Sequence, residues 1–339
     1  CWAEPLRTWP ADGGVQEFLG LDDTSAPTQV QDGRAQSIQN IELDSGSIRK
    51  RYGASLACST DLASEGYEAV TGIYYTKFSS GTERIYVTRG KRLFYVNGAN
   101  CSEISAPNIT AGQNNQFVFT VALDNVIATN NVDRPMRINN LTADTISFNG
   151  LSASSVPTKA KTAIFFKNFL IFGNTTENSV SNSTRIRWSN VGTINTWSDE
   201  DYIDIGSLAG QEINAFAELY DNLFVFLTDS IYRISYVGGD EVFQVAKVTD
   251  DIGSIAKNSV QSITLSNAQN GLVFLDKDKK IYFFDGSVAR DISIYIDTVM
   301  DGLSGLRLPY AVSADTGSDY VLCVTSSTES ANNLCLDLE

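Results

Sequence analysis

One hairpin phrase recurs along the chain: an apolar or aromatic run, a short polar break, then a second apolar run. Clear copies stand at residues 122–128 (ALDNVIA), 166–172 (FKNFLIF) and 220–226 (YDNLFVF). Looser copies fall at 81–87, 270–275 and 318–322. The interval is about 43 to 55 residues, the period of the blades of a β-propeller. Each such repeat is a small antiparallel sheet that cannot bury its apolar faces alone, so successive repeats must stack. The expected fold is therefore all-β, a β-propeller of about six blades.

The composition agrees and narrows the function. Hydrophobic residues make up 42% of the 339, and 14 Tyr and 17 Phe against 2 Met suit strands better than helices. Lys and Arg total 25 against 40 Asp and Glu, a formal charge of -15. A chain this acidic repels phosphate over most of its surface, which argues against gripping duplex DNA through a broad basic face. It is compatible with an acidic wall that DNA slides past. Histidine is absent, which removes Ser-His-Asp and Cys-His catalysis and His-based zinc sites. Carboxylate pairs and lysines remain as conceivable catalytic groups, but nothing in the sequence selects a pair.

The five cysteines, Cys1, Cys58, Cys101, Cys323 and Cys335, show no C-x-x-C spacing. Cys323 and Cys335 lie in successive strand runs and are placed to face each other across a hairpin. The expected role is nonetheless that of small core residues, and an odd count argues against a secreted disulfide framework. No stretch approaches the roughly 18 apolar residues of a membrane span. Cys1 reads either as a trimmed terminus or as the lipidated first residue of a lipoprotein.

Residues 1–47 are not blade-like. Pro5, Pro10, Gly13-Gly14 and Asp22-Asp23 read as an extended arm, with one alternating strand near 36–43. Residues 48–339 read as the propeller. The repeats run over 69–98, 116–150, 161–205, 212–249, 260–292 and from Tyr310 onward. In the first repeat Val70, Ile73 and Tyr75 are the apolar positions of a strand. Residues 174–183, rich in Ser, Thr and Asn, read as a surface insertion. Residues 294–306 carry Ile296, Val299, Met300 and Leu303 at helical spacing, limited by Gly302 and Gly305 to about two turns. The last repeat stops after a third strand. Because proteins avoid open strand edges, two ways of completing it are expected: closure by the strand near 38–43, or continuation beyond residue 339, the latter being favoured because the chain ends straight after a strand without a closing partner.

Several segments carry a resemblance. Gly33-Arg34-Ala35-Gln36, the run from Ile41 through the Asp44-Ser45-Gly46-Ser47 turn, and the Arg49-Lys50-Arg51-Tyr52-Gly53 exit are similar to the opening of bacteriophage tail and head-to-tail joining proteins. Residues 185–192 (RIRWSNVG), Trp197, 203–206 (IDIG), 230–234 (SIYRI), 252–260 (IGSIAKNSV) and 281–286 (IYFFDG) extend the match in order. The resemblance implies a propeller of the short-tail nozzle type, a structural virion protein. Such proteins assemble as homo-oligomeric rings around the DNA exit channel, commonly homohexamers, and contact neighbouring tail or portal-adaptor proteins. No enzymatic activity and no cofactor are implied. The implied location is the virion, after assembly in the bacterial host cytoplasm.

The candidate sites each have a plainer reading. Arg49, Lys50 and Arg51 form a tight basic triplet suited to a subunit contact or a DNA phosphate, or simply a solvated strand end. Asp199, Glu200, Asp201 and Asp204 offer oxygen ligands but lack calcium-loop spacing and read better as a solvated turn. Asp276-Lys277-Asp278-Lys279-Lys280 reads as a charged hairpin tip. Trp188 suits a sugar-stacking platform, yet its place in a strand favours packing. The Asn-x-Ser/Thr sequons at Asn108, Asn140, Asn174 and Asn182 are expected by chance in so Ser/Thr/Asn-rich a chain. The alternative function is a secreted or lipid-anchored bacterial propeller that binds or cleaves a glycan.

Overall fold

The computed structural model describes residues 20–30, 33–37, 41–44, 47–50, 68–98, 100–206, 210–265, 268–315, 320–325 and 333–338. The chain divides into two compact units, Cys1–Ala54 with Ile294–Val299, and Ser55–Ser293 with Met300–Glu339.

In the first unit, β1 (Gly20–Leu21) pairs in parallel with β2 (Arg34–Ala35). β3 (Ile41–Asp44) turns back onto β4 (Ser47–Lys50), with Asp44 opposite Ser47. Among the described residues β4 is the partner of β3, and residues 38–40 of the expected strand lie outside the described residues. The arm holds the segment that precedes the sixth repeat. Asp23 accepts the Val299 N–H at 2.8 Å and donates its own N–H to the Tyr295 carbonyl at 3.0 Å, while the Arg34 guanidinium lies 3.9 Å from the Tyr295 ring centre. The helix expected over 294–306 is short: α1 spans Asp297–Asp301 and stops before Gly302. A 3-10 turn follows at Leu308–Tyr310.

The second unit is a β-propeller with five four-stranded blades, each an antiparallel meander. The first contains β5 (Val70–Lys77), β6 (Glu83–Arg89), β7 (Arg92–Asn97) and β8 (Asn100–Ile104). The second contains β9 (Val118–Ala122), β10 (Asn125–Thr129), β11 (Met136–Asn139) and β12 (Thr142–Thr145). The third contains β13 (Pro157–Phe166), β14 (Phe169–Glu177), β15 (Val180–Ser189) and β16 (Trp197–Asp204). The fourth contains β17 (Ile213–Leu219), β18 (Asn222–Leu227), β19 (Ser230–Tyr236) and β20 (Phe243–Asp250). The fifth contains β21 (Gln261–Thr264), β22 (Asn270–Leu275), β23 (Ile281–Phe284) and β24 (Ala289–Asp291). A three-stranded sheet of β25 (Val312–Asp315), β26 (Tyr320–Thr325) and β27 (Asn333–Leu338) comes last.

The second strand of each blade explains the stacking. β14 is buried from Phe169 to Asn174 on both faces. Its alternation sends Leu170 and Phe172 into the core shared with the second blade, and Phe169 and Ile171 into the core shared with the fourth. β18 repeats the arrangement: Leu223, Val225 and Leu227 face the third blade, and Phe224 and Phe226 face the fifth. A strand apolar on both faces is stable only between two neighbours. Burying one such Phe or Leu contributes about 1.5–3 kcal/mol, so each interface is worth many times a single surface contact.

The recurring phrase is the first hairpin of the blade, and its loops are two residues long. Leu123-Asp124, Lys167-Asn168 and Tyr220-Asp221 all have positive φ, between 47° and 66°. Two consecutive left-handed residues make a type I′ turn, whose twist matches that of the flanking strands. In two copies the break thus sits one residue earlier than Asp-Asn suggests. Asn125 and Asn222 begin the second strand, and their side-chain amides donate back to the carbonyls of Leu123 and Tyr220.

Three expectations are corrected. Residues 174–183 are not a surface insertion. They are the tip of the long β14–β15 hairpin, where Asn174, Thr175 and Glu177 are buried because they tie the chain to neighbouring segments. Val70, Ile73 and Tyr75 lie exposed, while Thr71 and Thr76 of the same strand are buried. Cys323 and Cys101 are disulfide-bonded rather than free core thiols, and Cys335 stands directly opposite Cys323 in the β26–β27 register.

Gly253 tests the blade-to-blade fit. A Cβ there would lie 2.2 Å from the Leu227 carbonyl oxygen and 2.7 Å from the Ser230 nitrogen. Both obstacles are main chain and cannot rotate aside. Gly253→Ala is expected to destabilise the protein by about 2–3 kcal/mol in chemical denaturation, in the overpacking range. Gly192→Ala, with open space around its Cβ but φ of 70°, should cost about 1 kcal/mol.

Candidate functional site

The first strands of consecutive blades lie side by side along the propeller axis, and a polar hub joins them there. Lys257, in the link between the fourth and fifth blades, points its ammonium at main-chain carbonyls of the second blade's segment. It donates to Gln116 O and, at 3.5 Å, to Asn130 O. Gln116 Nε2 in turn donates to Tyr310 O at 2.8 Å, and Asn258 Nδ2 to Phe117 O at 3.4 Å. Lys161 of β13 donates to Asn214 Oδ1 of β17 and pairs with Glu212 at 3.0 Å. Asn214 Nδ2 donates to Ser254 O at 2.7 Å, and Asn174 Nδ2 to Glu212 at 3.1 Å. The Tyr320 hydroxyl donates to Ser259 O at 2.7 Å. The hub therefore joins the second, third, fourth and last sheets, or the segments beside them, to the link between the fourth and fifth blades.

Two ammonium groups share this space with one carboxylate, Glu212. Burial pushes Lys257 down to about 7, and the neighbouring Lys161 charge pushes the same way. Burial lowers Lys161 too, opposed by Glu212. Among the described residues Lys257 has carbonyl oxygens as acceptors and no carboxylate, so its protonated form is held there by dipoles. The arrangement ties separate chain segments together; the polar atoms named are engaged with main chain or with one another.

A second buried polar group lies in the third blade. Arg187 and Glu177 are only 1% and 4% exposed and pair at 2.9 Å. Arg185 bridges Glu177 at 3.0 Å and Asp204 at 2.8 Å. The Tyr202 ring lies beneath both guanidinium groups, 4.0 Å from that of Arg185 and 5.1 Å from that of Arg187. Asp204 and Glu177 hold the Arg185 guanidinium above its ordinary range, with Asp204 the larger cause.

The sequence candidates are dispersed. Arg49 and Lys50 end β4 in the first unit, and Arg51 lies outside the described residues, as does Cys1. Asp199, Glu200, Asp201 and Asp204 belong to strand β16, not a turn, so they alternate across its two faces. Asp199 accepts the Ser152 N–H at 3.0 Å, and hydrogen bonds from Ser155 and Ser152 hold its carboxyl low. Asp276 is buried at the tip leading to β23 and accepts N–H groups of Gly253 and Asp278. Trp188 is core, edge-on to Phe243 with centroids 5.1 Å apart. Among the described residues no three His, Cys, Asp or Glu side chains gather as a metal site, and no helix is long and apolar enough to cross a membrane.

Lys257, Lys161, Asn214 and Gln116 were not singled out by sequence. A lysine flanked by Ala256 and Asn258 reads as an ordinary link residue, and its axial position follows only from the closed stack.

No protein-family model matches the chain, and no curated protein matches it in sequence. Its fold is similar to that of several solved structures. The extracellular domain of BT3049 from B. thetaiotaomicron, named as a hybrid two-component system, is 12% identical, with a TM-score of 0.46 over 80% of this chain and 34% of that one. The chain thus spans about a third of that protein's length. BBS1N in complex with ARL6DN is 8% identical, with a TM-score of 0.44 over 78% and 80% of the two chains. YCF48 from Cyanidioschyzon merolae is 9% identical, with a TM-score of 0.42 over 76% and 79%. These likenesses concern the propeller fold alone.

Two predictions follow from the buried charges. The unfolded chain keeps the Lys257 proton up to about pH 10, whereas the folded chain releases it near 7. Below pH 7 both states are charged and folding carries the full burial penalty. Stability contributed by this group should therefore rise with pH between about 7 and 9, by at most about 1.4 kcal/mol per unit. Denaturation of Lys257→Met at pH 6, 7.5 and 9 should show a flatter profile than the parent. In the third blade, Glu177→Gln leaves Arg187 buried without its counter-charge and should cost about 3–5 kcal/mol. Asp204→Asn, at the half-exposed end of the same network, should cost under about 1 kcal/mol.

Proposed function

We propose that this protein is a non-enzymatic structural virion component of a phage tail or head-to-tail junction, a nozzle-like ring around the DNA exit channel. In this reading the three-stranded sheet counts as a sixth blade, and the propeller is a rigid body carrying subunit contacts in a homo-oligomeric ring. One observation carries the reading beyond sequence likeness. Three of the segments that resemble phage joining proteins occupy equivalent places in consecutive blades. Residues 185–188 lie on β15, 230–234 on β19 and 281–284 on β23, each the third strand of its blade. Residues 252–260 form the link that supplies Lys257 and Gly253. The ordered match therefore follows the architecture of the repeat. The net charge of -15 suits a wall that DNA passes without adhering.

A second reading, an extracytoplasmic bacterial propeller acting on a glycan, is favoured by one feature. Cys101 and Cys323 are disulfide-bonded, and disulfides persist mainly in oxidising compartments.

Mass spectrometry of purified particles, with native mass spectrometry of the isolated protein, tests the first reading. The expected result is the protein at fixed copy number in virions and a closed ring in solution. A monomer absent from particles overturns it. A glycan array of the same preparation tests the second, which an array without binders would eliminate.

A further inference from the structure

Among the described residues of the five four-stranded blades, the turns that join first to second and third to fourth strands lie at one end of the propeller. Contacts between blades establish this. Ser79 donates its N–H and hydroxyl to Asp124, and Lys167 pairs with Asp221. The Tyr220 hydroxyl donates to Asn270 O, and Gly192 N–H to Asn168 O. At this end Leu123, Leu141, Val191, Tyr220, Val237 and Val288 are exposed, contributed by four successive blades.

Backbone conformation marks two of them. Leu123 and Tyr220 occupy the first position of type I′ turns, at φ of 47° and 48°. Asn, Asp and Gly are strongly favoured there, and a bulky residue in the left-handed region costs about 1–2 kcal/mol. The chain uses the favoured chemistry elsewhere. The equivalent two-residue turn at the opposite end of the third blade is Asn178-Ser179, at 45° and 65°. Tyr220 is partly accounted for by its bond to Asn270. Leu123 is 42% exposed and makes no such bond, so neither the turn nor the core explains it. Backbone strain held at an exposed residue is one sign of a functional surface.

The charge around them defines what fits. Asp124, Asp240 and Glu241 are exposed at these tips, while Asp221 is paired with Lys167 and Arg84 donates to Asn140 beside Leu141. We propose that this end docks a partner protein whose surface presents apolar side chains bordered by Lys and Arg. A second copy placed face to face would set one acidic rim against another, which disfavours self-association through this end. The apolar tips would supply affinity, and the acidic rim orientation and encounter rate.

The probe is a random peptide library displayed on its encoding RNA and selected against the full chain. Selected peptides are expected to interleave Lys or Arg with aromatic or aliphatic residues. Their affinity should fall about tenfold or more for Leu123→Asn combined with Tyr220→Asn, and should weaken as salt rises. Leu123→Asn alone should melt no lower than the parent, since Asn suits the turn, and this separates lost binding from lost folding. Predominantly acidic peptides, or basic-apolar peptides that bind parent and double variant within twofold of each other, would overturn the proposal, as would a selection that yields no binder.

Discussion

Everything in the propeller depends on strands that are apolar on both faces. β14 and β18 cannot be stable at a surface, because either choice of facing leaves Phe and Leu side chains in water. Each blade must therefore be sandwiched, and sandwiching in series around an axis is what a propeller is. The constraint also explains the placement of polar groups. With both faces of the blades committed to apolar packing, hydrogen-bonding side chains are confined to the axis, the turns and the outer strands. The Lys257 hub occupies the first of these places, the exposed tips the second, and the Arg187–Glu177 pair approaches the third.

The two buried charge systems are held in opposite ways. Arg187 has a full counter-charge in Glu177 and a guanidinium geometry suited to a carboxylate. Among the described residues Lys257 has only carbonyl dipoles, so its charged form is poorly compensated. The first system fixes a hairpin within one blade. The second links segments from different blades, and its strength changes with protonation. The axial tie therefore changes with pH near neutrality.

Much of this architecture was legible in the residues. Alternation across 169–172 and 223–227, together with the repeat interval, indicates blades and their order. The phrase FKN or YDN indicates a hairpin. What was not legible depends on closure. Thr71 and Thr76 are buried while Ile73 and Tyr75 are exposed, because the neighbouring sheet covers one face only and local hydrophobicity does not say which. Residues 174–183 look like a loop by composition, yet Asn174 is interior because Glu212 and the Ile213 carbonyl, across the blade boundary, accept its hydrogen bonds, and Glu177 because it accepts those of Arg185 and Arg187 within its own hairpin. Lys257 carries no local signal, since its acceptors lie far away in the chain. An odd cysteine count does not distinguish one free thiol among bonded pairs from a set of free ones, so the bonded state of Cys101 and Cys323 leaves no mark in it.

The reach of the axial tie has a kinetic consequence. Lys257 bonds a carbonyl 141 residues earlier, and Gln116 bonds one 194 residues later. Closing loops of that length slows the search for the native topology. During synthesis the second blade can form its hairpins early, but its axial groups must wait for chain that emerges much later. Until then the assembling stack has an unlatched centre and an uncovered apolar face at its growing end, the condition in which a nascent chain is most exposed to aggregation and to chaperones.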